Sequence, residues 1–318
     1  MKKLEDLIKE KILSEGPITF HDFMEMALYY LELGYYRQGK EQIGEFGDFY
    51  TSPVTHPIFG ALLAIQIEQM WQILGRPPDF TVVEMGSGKG LLASDILSYL
   101  PLVSPELAGN IIYLAIEHGN AGRICSSSLM QSTGSNSSRD KLSGEPENII
   151  GCFLSNEFFD ALPTHRVIVQ NGELKEIYVG LDRGNFVEIT CNLSTNQVYQ
   201  RLKDENVILE EGQYGEINLQ VPYWVDWMGQ RLSRGFVLSI DYGYTAKELY
   251  STSRYQGTVM TYYRHIEGRN PYIRVGEQDI SSHVDFTAVL EAGEKKGLQA
   301  LSLVTQKEFL QNLGIRSF

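Results

Sequence analysis

A glycine-rich segment follows a short run of β-branched residues. Residues 82–90 read Val-Val-Glu-Met-Gly-Ser-Gly-Lys-Gly, so Glu84 stands two positions before the first of three alternating glycines. A phosphate-binding P-loop requires Ser or Thr after its Lys, but Gly90 follows Lys89, and a dinucleotide fingerprint requires a glycine where the chain has Leu91. Glycines let a backbone pass close to a ligand, and a carboxylate at a strand end suits an ammonium group. The segment is therefore predicted to bind a ligand, and a glycine-rich turn without one is the alternative.

The order of strand, Glu-x-Gly-x-Gly-x-Gly and helix resembles the pattern typical of S-adenosylmethionine-dependent methyltransferases. This resemblance implies that S-adenosylmethionine is the cofactor and that Glu84, Gly86, Gly88 and Gly90 bind it. Glu117 ends the next predicted strand. In such a fold its carboxylate can accept hydrogen bonds from both ribose hydroxyls, as acidic residues do in nucleotide-binding folds. A solvated acid at the end of a strand is the alternative for Glu117.

Polar and aromatic residues are dense after the third predicted strand, where Asn156, Glu157 and Asp160 accompany two phenylalanines. Methyltransferases place the groups that face the transferring methyl at this position. Two carboxylates in one turn, Glu157 and Asp160, can bind the planar fork of a guanidinium group. These two residues are therefore the predicted catalytic pair. In the alternative interpretation Asp160 caps a helix and Phe158 and Phe159 are core residues.

Four short apolar runs predict the strands that position these residues. They span residues 80–85, 111–117, 149–155 and 235–241, and an apolar helix is predicted from Leu91 to Leu100. Apolar strands that end near a polar or acidic residue and alternate with helices indicate a parallel α/β sheet. Such sheets bind ligands at the carboxyl ends of their strands.

The remaining segments predict helices and an insertion around this sheet. Helices are predicted over most of the first 35 residues and again over residues 57–74. The pattern between residues 166 and 200 indicates antiparallel strands, which we interpret as an insertion into the main sheet. The predicted domains are a helical segment with a cofactor-covering loop (1–78), a Rossmann-like α/β core (79–165 and 233–318) and an inserted antiparallel β and helical subdomain on the substrate side (166–232).

One segment has a biased composition. Eight of the eighteen residues in 126–143 are Ser, and few of the others are apolar. Such a segment has few apolar side chains to bury in a core, so it is predicted to be a loop or disordered.

The balance of charged residues indicates which class of ligand the protein binds. The 318 residues include 27 Lys and Arg against 40 Asp and Glu, a net charge of −13. This balance argues against binding to a nucleic-acid backbone and favours a cationic substrate.

Three widely spaced cysteines form neither a disulfide framework nor a metal site. The apolar run 58–67 is too short to span a bilayer, and the N-terminus lacks an apolar secretory core, so a cytoplasmic location is predicted.

Seven segments together resemble the MidA-type methyltransferase family and occur in the order of that family. The mitochondrial member of the family is an assembly factor of respiratory complex I and methylates a protein arginine. The matching segments are ALYYLELGYY (27–36), GDFYTSP (47–53), VVEMGSGKG (82–90), LSNEFFDALP (154–163), IDYGY (240–244), GTVMTYYRH (257–265) and DISSHVDF (279–286).

The resemblance implies a class I methyltransferase fold in which residues 47–53 form a loop over the cofactor. Thr51 and Ser52 of this loop, together with Asn156, are then further cofactor-binding residues. The implied function is a methyltransferase whose substrate is a protein that presents arginine, and a homodimer is one possible assembly. A small-molecule methyltransferase and a non-catalytic, cofactor-binding assembly chaperone are the alternatives.

His283 and Asp285 stand two residues apart, so in an extended segment they share one face. Two candidate ligands are too few for a metal ion, and no metal site is predicted. The structural interpretation is a hydrogen-bonded pair, whereas the family resemblance favours a position near the active cleft. His165 and Arg166 are given no role.

Overall fold

The computed structural model describes residues 2–38, 56–118, 124–126, 130–131 and 146–317. The helices are α1 (Leu4–Glu15), α2 (Phe20–Tyr29), α3 (Ile58–Ile73), α4 (Leu91–Val103), α5 (Pro105–Asn110), α6 (Asn196–Asp204), α7 (Gln220–Arg231), α8 (Ala246–Leu249), α9 (Phe286–Lys295) and α10 (Gln306–Asn312). The strands are β1 (Ile18–Thr19), β2 (Thr81–Met85), β3 (Ile112–His118), β4 (Ile124–Ser126), β5 (Met130–Gln131), β6 (Ile149–Asn156), β7 (His165–Gln170), β8 (Glu173–Asp182), β9 (Asn185–Cys191), β10 (Tyr214–Ile217), β11 (Leu232–Ile240), β12 (Gly243–Tyr244), β13 (Met260–Tyr263), β14 (Ile266–Gly268), β15 (Asp279–Ser281) and β16 (Val284–Asp285).

These residues group into two compact units. The described residues of the first unit are 2–38, 159–224 and 242–292, and those of the second unit are 56–118, 124–126, 130–131, 146–158, 225–241 and 293–317. The units divide the chain at positions other than those of the predicted domains, and the three-part division stays a prediction.

The second unit contains a sheet whose strands run in the order β11-β6-β2-β3, all parallel to their neighbours. All four strands lie where the apolar runs predicted them, so the α/β class with a parallel sheet is confirmed. The short strands β4 and β5 pair with β3 in the antiparallel direction, which makes the complete sheet mixed.

Helices α3 and α4 and strand β2 contribute to one apolar core in the second unit. Every residue of β2 is buried, as expected for a central parallel strand. Large side chains from both helices are buried in this core, among them Leu63, Trp71 and Ile96. Trp71 also donates from Nε1 to the carbonyl oxygen of Pro77 at 3.0 Å, which satisfies the polar end of its ring.

Two glycines allow three strands of this sheet to approach one another closely. Gly151 on β6 lies opposite Thr81 on β2 and opposite Gly235 on β11. A Cβ atom added to Gly151 would lie 1.9 Å from the carbonyl oxygen of Thr81, and one added to Gly235 would lie 1.9 Å from that of Gly151. No side chain fits at either position.

The first unit contains an antiparallel sheet in the order β1-β8-β7-β10, with β9 paired to β8. The antiparallel strands predicted after residue 166 are therefore present. The two predicted N-terminal helices are also present, and the Thr19 hydroxyl caps α2 by accepting a hydrogen bond from the backbone N–H of Asp22 at 3.0 Å. A cap of this kind contributes about 1 kcal/mol to stability.

Part of the Ser-rich segment differs from its prediction. Residue 126 and residues 130–131 lie in β4 and β5, because extended backbone there pairs with β3. Its other residues lie outside the described ranges, as does the proposed cofactor-covering loop, residues 47–53.

Candidate functional site

Glu84 lies near the carboxyl end of β2 and is 3% exposed. The hydroxyl of Tyr113, on the neighbouring strand β3, donates a 2.8 Å hydrogen bond to Glu84 Oε2. Burial and the adjacent carboxylate of Glu84 raise the pKa of Tyr113 well above its ordinary value, so the hydroxyl keeps its proton and remains a donor. This hydrogen bond fixes the orientation of the carboxylate, and Tyr113 is a residue that the sequence analysis did not identify.

The glycines after Glu84 turn the chain from β2 into α4. The backbone N–H of Gly86 donates to the carbonyl oxygen of Ile116 at 2.7 Å, and that of Ser94 donates to Gly90 at 2.9 Å. A Cβ atom at Gly86 would lie 2.8 Å from the Phe158 ring, whereas one at Gly88 would meet nothing within 4 Å. Gly88 is exposed and has a φ of +55°.

The turn after β6 is tied to the end of β11 by two hydrogen bonds. The backbone N–H of Glu157 donates to the carbonyl oxygen of Ile240 at 2.9 Å, and that of Phe158 donates to Asp241 Oδ2 at 3.2 Å. Glu157 has a φ of +51°, which a residue with a side chain adopts only when its surroundings enforce it. Asp241 is the second residue that sequence reasoning missed, although an acid at the end of an apolar strand was a signal that could have found it.

Three buried polar atoms at the same ends of β6 and β11 have no hydrogen-bond partner among the described residues. They are the side-chain oxygens Ser155 Oγ, Asn156 Oδ1 and Ser239 Oγ. Ser155 and Ser239 are directly opposite each other in the sheet. Buried polar groups are normally hydrogen-bonded. These atoms therefore fit a polar ligand at the carboxyl end of the sheet.

The structure thus brings together most of the sequence-predicted residues of the second unit. Glu84, the three glycines, Asn156 and Glu157 lie at the carboxyl ends of β2 and β6, which are paired neighbours. Glu117 lies on β3, where its backbone is opposite Cys125 of β4, and its side chain is not among the described ones. Thr51 and Ser52 lie outside the described residues.

Asp160 belongs to the first unit, where its side chain is half-buried and its carbonyl oxygen accepts a hydrogen bond from the N–H of Ser282 at 3.0 Å. Residues 157–164 contain no helix, and β7 begins at His165. The alternative in which Asp160 caps a helix is therefore wrong.

Both phenylalanines that follow Glu157 are buried, Phe158 at 5% and Phe159 at 1% exposure. The interpretation of these side chains as core residues is therefore confirmed. Phe158 lies beside Gly86 and so shapes the turn after β2 from within the core.

The histidine and arginine at the start of β7 bind glutamates of the first unit. His165 Nδ1 lies 2.7 Å from Glu176 Oε1, and Arg166 Nε donates to Glu216 Oε1 at 3.4 Å. The Arg166 guanidinium also lies 4.4 Å from the centre of the Tyr214 ring. These contacts hold β7, β8 and β10 together.

His283 and Asp285 do not form the hydrogen-bonded pair that was one interpretation of their spacing. Asp285 Oδ1 instead caps α9 by accepting hydrogen bonds from the N–H groups of Thr287 at 2.9 Å and Ala288 at 3.3 Å. His283 Nδ1 is buried and has no hydrogen-bond partner among the described residues. Asp285 instead lies beside a carboxyl group on another segment, that of Glu205.

Glu205 and Asp285 form a buried carboxyl pair. Burial and the neighbouring Asp285 raise the pKa of Glu205 to about 8, although an ion pair with Arg201 opposes the shift. Arg201 also contacts Glu291 at 3.2 Å. Two buried carboxylates in contact repel each other unless one holds a proton.

We expect the contribution of Glu205 to the stability of the protein to fall as the pH rises from about 4.5 to about 8. The folded-state pKa of Glu205 lies above its ordinary value of 4.5, so its stabilising contribution is complete below that value and is lost as the pH approaches the folded-state pKa. Glu205→Gln should therefore raise the melting temperature at pH 8.5 and flatten its decline with pH. The exposed Glu210→Gln is the control, and parallel melting curves for Glu205→Gln and the wild type would contradict the expectation.

The described residues contain no group of three or more His, Cys, Asp or Glu that could hold a metal ion. Within the same ranges, every helix is too short or too polar to cross a bilayer.

Comparisons with known proteins agree on one family. Residues 62–304 match a family described as S-adenosyl-L-methionine-dependent methyltransferases. The protein arginine methyltransferase NDUFAF7 of Mus musculus mitochondria is 29% identical over 96% of this chain and 72% of its own length. Its Drosophila melanogaster homologue is 27% identical over 96% of this chain and 74% of its own length.

A solved structure supports the fold and the ligand. A protein from Burkholderia thailandensis, crystallised with S-adenosyl-homocysteine, superposes with a TM-score of 0.80 at 28% identity, covering 99% of this chain and 81% of that one. The chain therefore belongs to the family of S-adenosyl-L-methionine-dependent methyltransferases.

Proposed function

We propose that this methyltransferase transfers the methyl group of S-adenosylmethionine to an arginine side chain of a protein. The observation that carries the proposal is the joint match over 96% of the chain to relatives named protein arginine methyltransferases. The net charge of −13 also suits a cationic substrate.

Those residues proposed to hold the methyl donor that the structure describes lie at the carboxyl ends of β2, β3 and β6. Glu84, oriented by Tyr113, suits the ammonium group of the donor's amino-acid part. The positive φ values of Gly86, Gly88 and Gly90, where the chain has no Cβ atom, suit a turn that a ligand approaches closely. The unsatisfied Oδ1 of Asn156 supplies an acceptor. The remaining members of the proposed donor site are Glu117, Thr51 and Ser52.

The bound donor supplies an electrophilic methyl group on a sulfonium, so the protein must mainly align the nucleophile and exclude water. Glu157 is the residue proposed to align the nucleophile. Its backbone, which has a positive φ, is held by a hydrogen bond to Ile240 at the edge of the sheet where the donor is proposed to bind. Its carboxylate orients the guanidinium and receives or relays the proton released on methylation. Asp160 stays a predicted second contact to the guanidinium.

Glu117→Ala is expected to weaken donor binding about tenfold or more. Loss of hydrogen bonds from two hydroxyls to a charged acceptor removes about 1.5–3 kcal/mol. Titration calorimetry with S-adenosylmethionine measures the change, and Glu106→Ala on α5 is a control at an exposed position. A change in affinity of less than twofold would remove Glu117 from the proposed site.

Two measurements separate this proposal from its alternatives. Calorimetry tests donor binding, and transfer of a labelled methyl group in a lysate, followed by mass spectrometry of modified peptides, identifies the acceptor. Label on protein arginine supports the proposal. Label confined to small metabolites indicates a small-molecule methyltransferase, and donor binding without any transfer indicates a non-catalytic assembly chaperone.

Other properties of the protein stay predictions of the sequence. They are the cytoplasmic location, the absence of a nucleic-acid partner, the possible homodimer and the substrate-side role of residues 166–232. The relatives named above from animals are mitochondrial proteins, so the location is best measured directly in the source cells.

A further inference from the structure

Strand β11 lies at one edge of the parallel sheet in the second unit. Among the described strands it pairs with β6 and with no other. Its neighbour β6 is paired on both sides and is mostly buried, whereas every residue of β11 is half-buried or exposed. Strands of a parallel sheet are normally covered. The exposure of β11 therefore indicates a sheet that can accept a further strand.

The outer edge of β11 carries backbone groups that point away from β6. The carbonyl oxygen of Ile240 faces β6, because it accepts a hydrogen bond from the N–H of Glu157 at 2.9 Å. Successive residues of a strand direct their backbone groups to alternate edges, so those of Val237 and Ser239 point outward. No backbone hydrogen bond joins these outward groups to another segment of the described chain.

This edge lacks the features that keep exposed strands from pairing with other chains. Edge strands are commonly protected by Lys, by Pro or by another charged side chain. Residues 235–240 of β11 are uncharged and contain no proline. The edge strand of the other sheet differs, because β9 has Glu188 at its middle, bound to Arg166. The unprotected edge of β11 therefore favours addition of a strand.

We propose that β11 pairs in the antiparallel direction with β11 of a second copy of this chain, which forms a symmetric dimer with one continuous sheet. Hydrogen bonds between the copies form where outward-facing residues are opposite each other. The alignment that pairs the uncharged stretch with itself places Val237 opposite Val237 of the partner subunit. Phe236 then lies opposite Leu238 of the partner subunit, a favourable cross-strand pair. This pairing does not depend on methyl transfer and goes beyond it.

A second copy suits this edge better than an unrelated partner does. Symmetric pairing joins two identical edges and leaves neither of them open, so the assembly closes at two copies. An unrelated partner would have to offer a similar uncharged strand, whereas every copy of this chain has one. A contact of this length buries less than the roughly 1,200 Å² that stable interfaces need, so we expect a dissociation constant in the micromolar range.

Sedimentation equilibrium of the full chain measures the dissociation constant of the dimer. Val237→Lys should raise this constant at least tenfold, because two like charges would face each other across the symmetry axis. Val237→Glu should have the same effect. An equimolar mixture of the two variants should associate at least tenfold more tightly than either variant alone, because Lys then faces Glu. Recovery in the mixture also shows that both variants are folded.

The matched control is Ile189→Lys. Ile189 is an apolar residue of the edge strand β9 in the other sheet and is 36% exposed. This substitution introduces the same charge on a different strand edge, so it should change the dissociation constant less than twofold.

Hydrogen exchange of the unmodified protein tests the same contact without a substitution. The backbone N–H groups of Val237 and Ser239 should exchange at least fivefold more slowly at concentrations above the dissociation constant than below it, because they become hydrogen-bonded in the dimer. This measurement decides the question even where a variant at position 237 does not fold.

Four results would overturn the proposal. The first is a wild type that remains monomeric up to about 1 mM, where only a very weak interaction would escape detection. The second is a mixture of the two Val237 variants that associates no more tightly than each variant alone. The third is an equal weakening by Ile189→Lys, and the fourth is exchange at Val237 and Ser239 that does not change with concentration.

Discussion

Glu157→Gln is expected to lower the rate of methyl transfer about 100-fold or more, while the affinity for S-adenosylmethionine changes less than twofold. The substitution keeps the size of the side chain and the acceptor that receives a 3.5 Å hydrogen bond from Asn156 Nδ2, but it removes the charge. A positioned carboxylate that orients a cation and takes its proton contributes about 10²–10⁴ in rate. Single-turnover transfer to an identified arginine substrate measures the effect.

The matched control for this variant is Glu147→Gln. Glu147 is exposed and precedes β6 at its amino end, whereas Glu157 follows the same strand at its carboxyl end. The control should transfer methyl groups at the wild-type rate. Equal rates for both variants would remove Glu157 from the catalytic step, even if donor binding is intact in each.

Gly88→Ala is expected to weaken binding of S-adenosylmethionine at least tenfold while the fold is retained. The added methyl group would enter the open space beside the backbone that the donor is proposed to approach. It would also occupy a positive φ, which costs about 1–2 kcal/mol of folding free energy. Calorimetry gives the affinity, and chemical denaturation gives the stability of the same sample.

The control variant Gly75→Ala separates the effect of Gly88→Ala on donor affinity from its effect on stability. Gly75 lies in the same unit, has a φ of +82° and meets nothing within 4 Å of an added Cβ atom. Both variants should lose similar stability, and only Gly88→Ala should lose donor affinity. Equal affinities in the two variants would show that the donor does not approach Gly88.

The parallel sheet was predictable because its signal is local. The β-branched and apolar runs of β2 and β6 are long enough to identify each strand, and parallel strands necessarily place their carboxyl ends at one edge. That edge holds Glu84, Asn156 and Glu157, so much of the candidate site follows from the strand assignments and the glycine spacing.

The features of the structure that the sequence did not predict depend mostly on contacts between segments that are far apart along the chain. Tyr113 finds Glu84 across 29 residues of chain, and Glu205 meets Asp285 only when α6 and α9 are in place. The helix that the alternative interpretation of Asp160 required does not form, and Pro163 disfavours helical backbone at Leu162. The β-branched run at the start of β7 then continues the chain as a strand.

The two glycines at the middle of β6 and β11 also determine which strand alignments can exist during folding. A slip of β6 by one residue would bring Ile150 or Cys152 opposite Thr81, where the backbone that Gly151 adopts leaves no room for a Cβ atom. Such misaligned pairings are therefore disfavoured by steric clashes as well as by lost contacts. The positions that Asn156 and Glu157 reach after β6 therefore depend in part on a glycine that stands five and six residues before them in the chain.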